Sequence, residues 1–214
     1  PNLVMDQFIY HLAQAAEAAG YHLLTFTHPD RDPIAVYAEL IQSGRIDGFV
    51  LAGTEHDDPR IRFLIDEKFP FVSFGRANPA WDFHWVDTDG CAGMRAATEY
   101  LLDNGHTRIA FLGWPQDSLT GNYRLAGYIE ALAAAGIIPR EDYIIHNDYA
   151  RNSIEKAFDR WAALPAAERP TAIIAVSDYV AVAAMRTAEQ YGHRVGETIS
   201  VVGFDDAPFV RYLQ

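Results

Sequence analysis

The chain has 214 residues, half of them hydrophobic, so it can bury a sizeable core and is not a disordered segment. Its formal net charge of -12, from 17 Lys+Arg against 29 Asp+Glu, argues that these residues do not themselves grip a phosphate backbone, which needs clustered cations. Cys91 is the only cysteine, which excludes an intrachain disulfide and fits a reducing compartment, and no apolar run approaches the length of a membrane span.

In chain order, residues 5–19 carry Phe8, Leu12, Ala15, Ala16 and Ala19 at helical spacing, and Gly20 supplies a stop. "YHLLTF" then reads as a short strand. After "HPDRDP" the pattern predicts a helix over 33–43 closed by Gly44, a buried strand in "IDGFVLAG", a helix over about 59–68 and a strand in "FPFVSFG". The alternation continues with "WVDTDG", a helix over 90–104, "RIAFLG", a helix over 122–135, "DYIIHND", a helix over 152–163, "TAIIAVS", a helix over 178–191 and "ISVVGFDD". Strand-then-helix repetition of this kind specifies an α/β fold of parallel sheets covered by helices. The number of elements exceeds one comfortable sheet, so the expected organisation is two similar lobes, 1–87 and 88–214, divided near Val86 to Asp89.

Open parallel sheets bind ligands beyond the carboxyl ends of their strands, where loops and helix N-termini converge. That rule selects Gly75 and Arg76, Asp87 and Asp89, Trp114 and Pro115, Asn147 to Tyr149, Ser177 and Asp178, and Asp205 and Asp206. In "FDDAP" either acid can cap the following turn, leaving the other to face a crevice. Carboxylates accepting from hydroxyls, together with aromatic faces such as Trp114 and Tyr149, match what a sugar presents. Arg124, near the N-terminus of its helix where a cation is disfavoured by the dipole, is either an ordinary surface residue or a fork aimed at ligand hydroxyls. No HExxH, paired-cysteine zinc spacing, GxSxG elbow or GxxxxGK loop occurs, and the eight histidines form no ligand spacing, so neither a metal nor a cofactor is expected. "DTDG" at 87–90 lacks the later ligands of a calcium loop, and Asp89 reads as the cap of the helix beginning at Gly90.

The segments "GHTRIAFLGWP", "RLAGYIEALAAAGI" and "PTAIIAVSDYVAVAAMRTAEQYGHRVGETISVVGFDD", in this order, resemble the effector-binding core of LacI/GalR-type transcription regulators, over nearly the whole chain. The resemblance implies a periplasmic-binding-protein-like fold in two lobes, with the first strand and the closing segment of the core outside these residues. It also implies a DNA-binding helix-turn-helix ahead of them, operator DNA as the target of that module, a homodimer, a cytoplasmic location, no membrane association and a small carbohydrate effector. In the family's pattern the ligand arginine falls on Arg124, the stacking aromatic on Tyr149 and the terminal-strand aspartate on Asp205, which leaves Asp206 to support the turn. Ser177, with Asp178 following it, stands where the family often has Asn, and "FGR" puts Arg76 at the N-lobe strand end, as in a branch associated with glucosides. Trp114 completes the expected ligand contacts.

The reading that follows is a sugar-responsive regulator, not an enzyme, in which effector bridges the lobes and shifts the populations of two lobe arrangements. Its rival is a periplasmic sugar-binding receptor of a transport system with the same fold. A carbohydrate enzyme using Asp205 and a second acid has no support beyond the acids themselves.

Overall fold

A computed structural model of the protein describes residues 3–26, 32–146 and 152–213. The chain divides into two units, Pro1–Asp87 with Ala207–Gln214, and Thr88–Asp206. The tail from Ala207 onward, expected in the second lobe, therefore groups with the first unit, because the chain leaves the second unit directly after its last strand.

In the first unit the elements run α1 (Leu3–Ala18), α2 (Pro33–Gln42), β1 (Phe49–Ala52), α3 (Pro59–Asp66), β2 (Phe71–Phe74) and β3 (Trp85–Val86). The strands form a parallel sheet in the order β1-β2-β3. Asp-Pro starts two of the helices: Asp32 and Asp58 accept from the N–H groups of Ile34 and Arg60, while Pro33 and Pro59 occupy first-turn positions that need no donor. The core gathers Tyr37, Phe49, Leu51, Ile61 and Leu64, and Phe8 of α1 stacks on Phe74 at 4.6 Å. Residues 21–26, expected as a strand, carry no regular structure: they join no ladder among the described residues, and strand-forming side chains without a paired neighbour do not make a strand.

The second unit contains α4 (Gly90–Asp103), β4 (Ile109–Gly113), α5 (Leu119–Ala134), β5 (Ile144–His146), α6 (Ser153–Ala162), β6 (Ala172–Ala175), α7 (Asp178–Gln190) and β7 (Ser200–Val202). Its parallel sheet has the order β5-β4-β6-β7. Every residue of the two central strands, "IAFLG" and "AIIA", is buried, which is why these segments are continuously apolar instead of alternating. Beneath the strands' amino ends His106 pins three segments together, with its ring nitrogens 3.0 Å from the hydroxyls of Thr171 and Ser200. The strand order reverses between β4 and β6, and such a switch point opens a crevice at the carboxyl ends of the two strands.

Candidate functional site

The crevice end of the second unit is organised around Arg124. This residue lies in the second turn of α5, whose start is set by Ser118 accepting from Gly121 N–H at 3.1 Å. Only 5% of Arg124 is exposed. Its guanidinium donates one hydrogen bond to the carbonyl of Val176, just past β6, and another to Asp205 Oδ1 at 3.2 Å. It also lies 3.8 Å from the Phe204 ring centroid and 5.1 Å from that of Trp114, so two aromatic faces hold the plane of the fork. Trp114 follows β4 directly, and its carbonyl is 3.0 Å from His146 Nδ1 at the end of β5.

Asp205 and Asp206 follow β7 with φ of 111° and 51°. Left-handed backbone at two successive residues is strained for any side chain but least costly for Asp and Asn, which accounts for the residue type at both positions. Asp206 was expected to support the turn, but the 3-10 helix at Pro208–Tyr212 has no side-chain cap; its contribution is to adopt the positive φ. The Asp205 side chain is 16% exposed. Burial pushes its carboxyl above the usual carboxylate range, the charge of Asp178 adds to that effect, and Arg124 only partly offsets it.

Ser177 is the N-cap of α7, accepting from Val180 N–H at 3.4 Å, and Asp178 is the first residue of that helix. Asp178 is 6% exposed, and its N–H donates to the Phe204 carbonyl at 2.8 Å. Its carboxylate passes so close to Gly203 that a Cβ there would overlap it. Sequence "GFDD" thus combines a glycine that admits Asp178, an aromatic plate for Arg124 and its anionic partner.

In the first unit the corresponding strand ends carry Arg76, Asp87 and Trp85. Arg76 Nε is 3.3 Å from Asp87 Oδ2, and the guanidinium lies 4.7 Å from the Trp85 ring centroid. Gly75 precedes Arg76 with φ of 113°, and a Cβ there would approach Thr54 Oγ1 to 2.6 Å. Thr54 donates to the Arg76 carbonyl at 2.8 Å, so this glycine turn and the threonine together aim the arginine. In the same unit Asp58, 2% exposed, accepts from Arg60 Nη2 at 2.6 Å and Nε at 3.0 Å. Burial pushes the Asp58 carboxyl up, but the hydrogen bonds and charge of Arg60 outweigh it and hold the group below the usual carboxylate range.

Of the residues selected from sequence, Arg124, Asp205, Trp114, Ser177 and Asp178 gather at one end of the second unit, and Arg76 lies at the strand ends of the first. Tyr149 lies outside the described residues. Among the described residues no group of His, Cys, Asp and Glu is arranged to hold a metal ion.

Residues 5–209 match the family described as periplasmic binding proteins and sugar binding domain of LacI family. A solved regulatory protein of the LacI family from Chloroflexus aggregans is 44% identical, with a TM-score of 0.92, covering 98% of this chain and 75% of that one. The chain belongs to the LacI family. Within it, a solved complex of the transcriptional regulator CelR with cellobiose has a TM-score of 0.84 at 30% identity, over 95% of this chain and 62% of that one. The HTH-type transcriptional regulator CelR of Thermobifida fusca is 36% identical over 171 residues, 79% of this chain. The chain spans about half the length of that curated LacI-family relative, 50%.

For a LacI-family domain, three residues of this arrangement escaped the sequence reading as contacts: Phe204, Trp85 and the pairing role of Asp87. Each was signalled. Phe204 stands inside the quoted "VVGFDD", and Trp85 lies two residues before the strand-end acid Asp87, hence on the same face of an extended segment.

Proposed function

We propose that the chain is the effector-binding and dimerisation core of a sugar-responsive transcription regulator. The observation that carries this reading is the Arg124 fork, clamped between Phe204 and Trp114 and paired with Asp205 at the switch point of the second sheet. Aromatic plates flanking a guanidinium and a carboxylate suit a ligand with an apolar ring face and a rim of hydroxyls. Arg76, Trp85 and Asp87 repeat the same three chemical types in the first unit. The CelR–cellobiose complex supports a glucoside as the effector.

The regulator acts in the cytoplasm as a homodimer, and operator DNA is read by an N-terminal helix-turn-helix beyond these 214 residues. Sugar shifts its conformational populations through differential affinity for two states. The 44% identity to a LacI-family regulatory protein across 98% of the chain favours this over a periplasmic transport receptor. No helix among the described residues is long and apolar enough to cross a membrane.

Calorimetry with cellobiose and a panel of other neutral mono- and disaccharides tests the ligand half of the proposal. Operator binding by the full-length protein, measured with and without the sugar that binds, tests the regulatory half. Failure of every sugar to bind, or operator affinity indifferent to a bound sugar, overturns the corresponding half.

A further inference from the structure

We infer that the second unit carries a second ligand site, at the amino ends of its strands, which takes a small carboxylate with an apolar body the size of one ring. The site lies at the opposite end of the sheet from Arg124, and the inference does not rest on the sugar reading.

A cavity of about 110 Å³ opens there, walled by Ile109 at the start of β4, Tyr128 and Leu132 of α5, Ile137 beyond that helix, and Tyr143 just before β5. Ile109, Tyr128, Leu132 and Tyr143 belong to the buried core, so packing fixes these walls. The two phenols do not make the interior polar. Tyr128 donates to the Ile109 carbonyl at 2.8 Å, and Tyr143 donates to the Glu168 carbonyl. With those donors spent on backbone, an entering molecule meets mainly carbon. A closed apolar cavity of about 150 Å³ holds benzene. This smaller, open one therefore holds most of a single ring and leaves its substituent at the mouth.

The rim decides what that substituent is. Two arginines border the mouth, Arg108 and Arg140. Arg140 is neutralised: its Nε and Nη2 donate to the two carboxylate oxygens of Asp142 at 2.9 and 2.7 Å, and Nη1 donates to Glu168 at 3.1 Å. Arg108 differs. Its Nε donates to the Arg169 carbonyl at 2.8 Å, which holds the guanidinium without cancelling its charge, and among the described residues no carboxylate pairs with it. Both charges reach the cavity wall, since burial pushes the Tyr143 hydroxyl up while Arg140 and Arg108 act in the opposite sense. A planar fork anchored at one nitrogen keeps two more donors for a carboxylate. The acids beside it set the limit: one negative charge matches Arg108, whereas a second would face Asp142 and Glu168. Ile138, 86% exposed, extends the apolar rim at the same mouth.

The test is a ligand-observed NMR titration of the full-length protein with benzoate, benzamide and acetate at physiological salt. Benzamide keeps the ring without the charge, and acetate keeps the charge without the ring. The expected result is saturable binding of benzoate, with each of the other two weaker by about tenfold or more. Arg108→Gln removes the cation, and Ile138→Glu sets an opposing charge at the mouth on a side chain too exposed to disturb the fold; each should weaken benzoate by about tenfold. Absence of saturable benzoate binding, or binding unchanged by Ile138→Glu, overturns the site. Benzamide as tight as benzoate, or benzoate indifferent to Arg108→Gln, overturns the carboxylate assignment, and acetate as tight as benzoate overturns the role of the cavity. Each of these failures leaves the sugar reading standing.

Discussion

Asp205→Asn separates what this residue does for the ligand from what it does for the fold. The Arg124–Asp205 contact at 3.2 Å carries a gross attraction of about 5 kcal/mol at an effective dielectric of about 20. The Asp205 carboxyl is nonetheless raised above its ordinary value, so burial and the neighbouring Asp178 charge together outweigh that attraction. In the folded protein the ionised form is therefore disfavoured relative to the unfolded chain. Between the unfolded and the raised folded pKa the native state holds more protons, and stability falls as pH rises through that window. Asparagine keeps the oxygen that accepts from Arg124, suits the positive φ at this position and removes the charge. Its stability at neutral pH should lie within about 1 kcal/mol of the parent, on the stabilised side. On acidification through the raised pKa the parent becomes protonated and the advantage disappears. Sugar affinity should meanwhile fall by about 2 to 3 kcal/mol, because charge-assisted hydrogen bonds to ligand hydroxyls are lost. Urea unfolding at several pH values, paired with calorimetry, measures both. A loss of stability greater than about 2 kcal/mol at pH 7, or an advantage that grows on acidification, refutes the reasoning.

Arg124→Lys keeps the charge but loses the planar fork between Phe204 and Trp114, and should weaken sugar binding by about 2 kcal/mol in calorimetry while the fold persists. Asp58→Ala removes a helix cap and the anionic partner of Arg60, which keeps its hydrogen bond to the Gly53 carbonyl, costing about 3 kcal/mol in urea unfolding at pH 7. Because the Asp58 carboxyl is held low, that contribution is complete above its ordinary value and is lost as pH falls through the depressed one, so the gap between parent and variant should close only in strong acid. Gly203→Ala pushes a methyl into the Asp178 carboxylate and should cost about 1 to 3 kcal/mol of stability, with weakened sugar binding; a variant as stable as the parent would show that Asp178 moves freely. Tyr149→Ala should weaken sugar binding by about 1 to 2 kcal/mol if the ring stacks on ligand, and unchanged affinity would reassign it.

Periodicity alone determined that strands and helices alternate, because a parallel sheet buried on both faces needs apolar strands and each crossover needs an amphipathic helix. The helix starts were equally local: Asp-Pro at Asp32 and Asp58, and Asp89 before Gly90, act on N–H groups two or three residues away. The strand-end rule chose Arg124's neighbourhood before any contact was known, since connectivity decides which end of a parallel sheet gathers its loops. What required the tertiary structure was every pairing across sequence distance. Arg124 and Asp205 lie 81 positions apart, and only the adjacency of β4, β6 and β7 brings the fork to that acid, to the Val176 carbonyl and to the Phe204 ring. The same holds for the failure of "YHLLTF" to form a strand and for the return of Ala207–Gln214 to the first unit. A strand exists only through its hydrogen-bonded neighbour, and a segment's unit only through the residues it packs on; neither is a property of the segment's own residues.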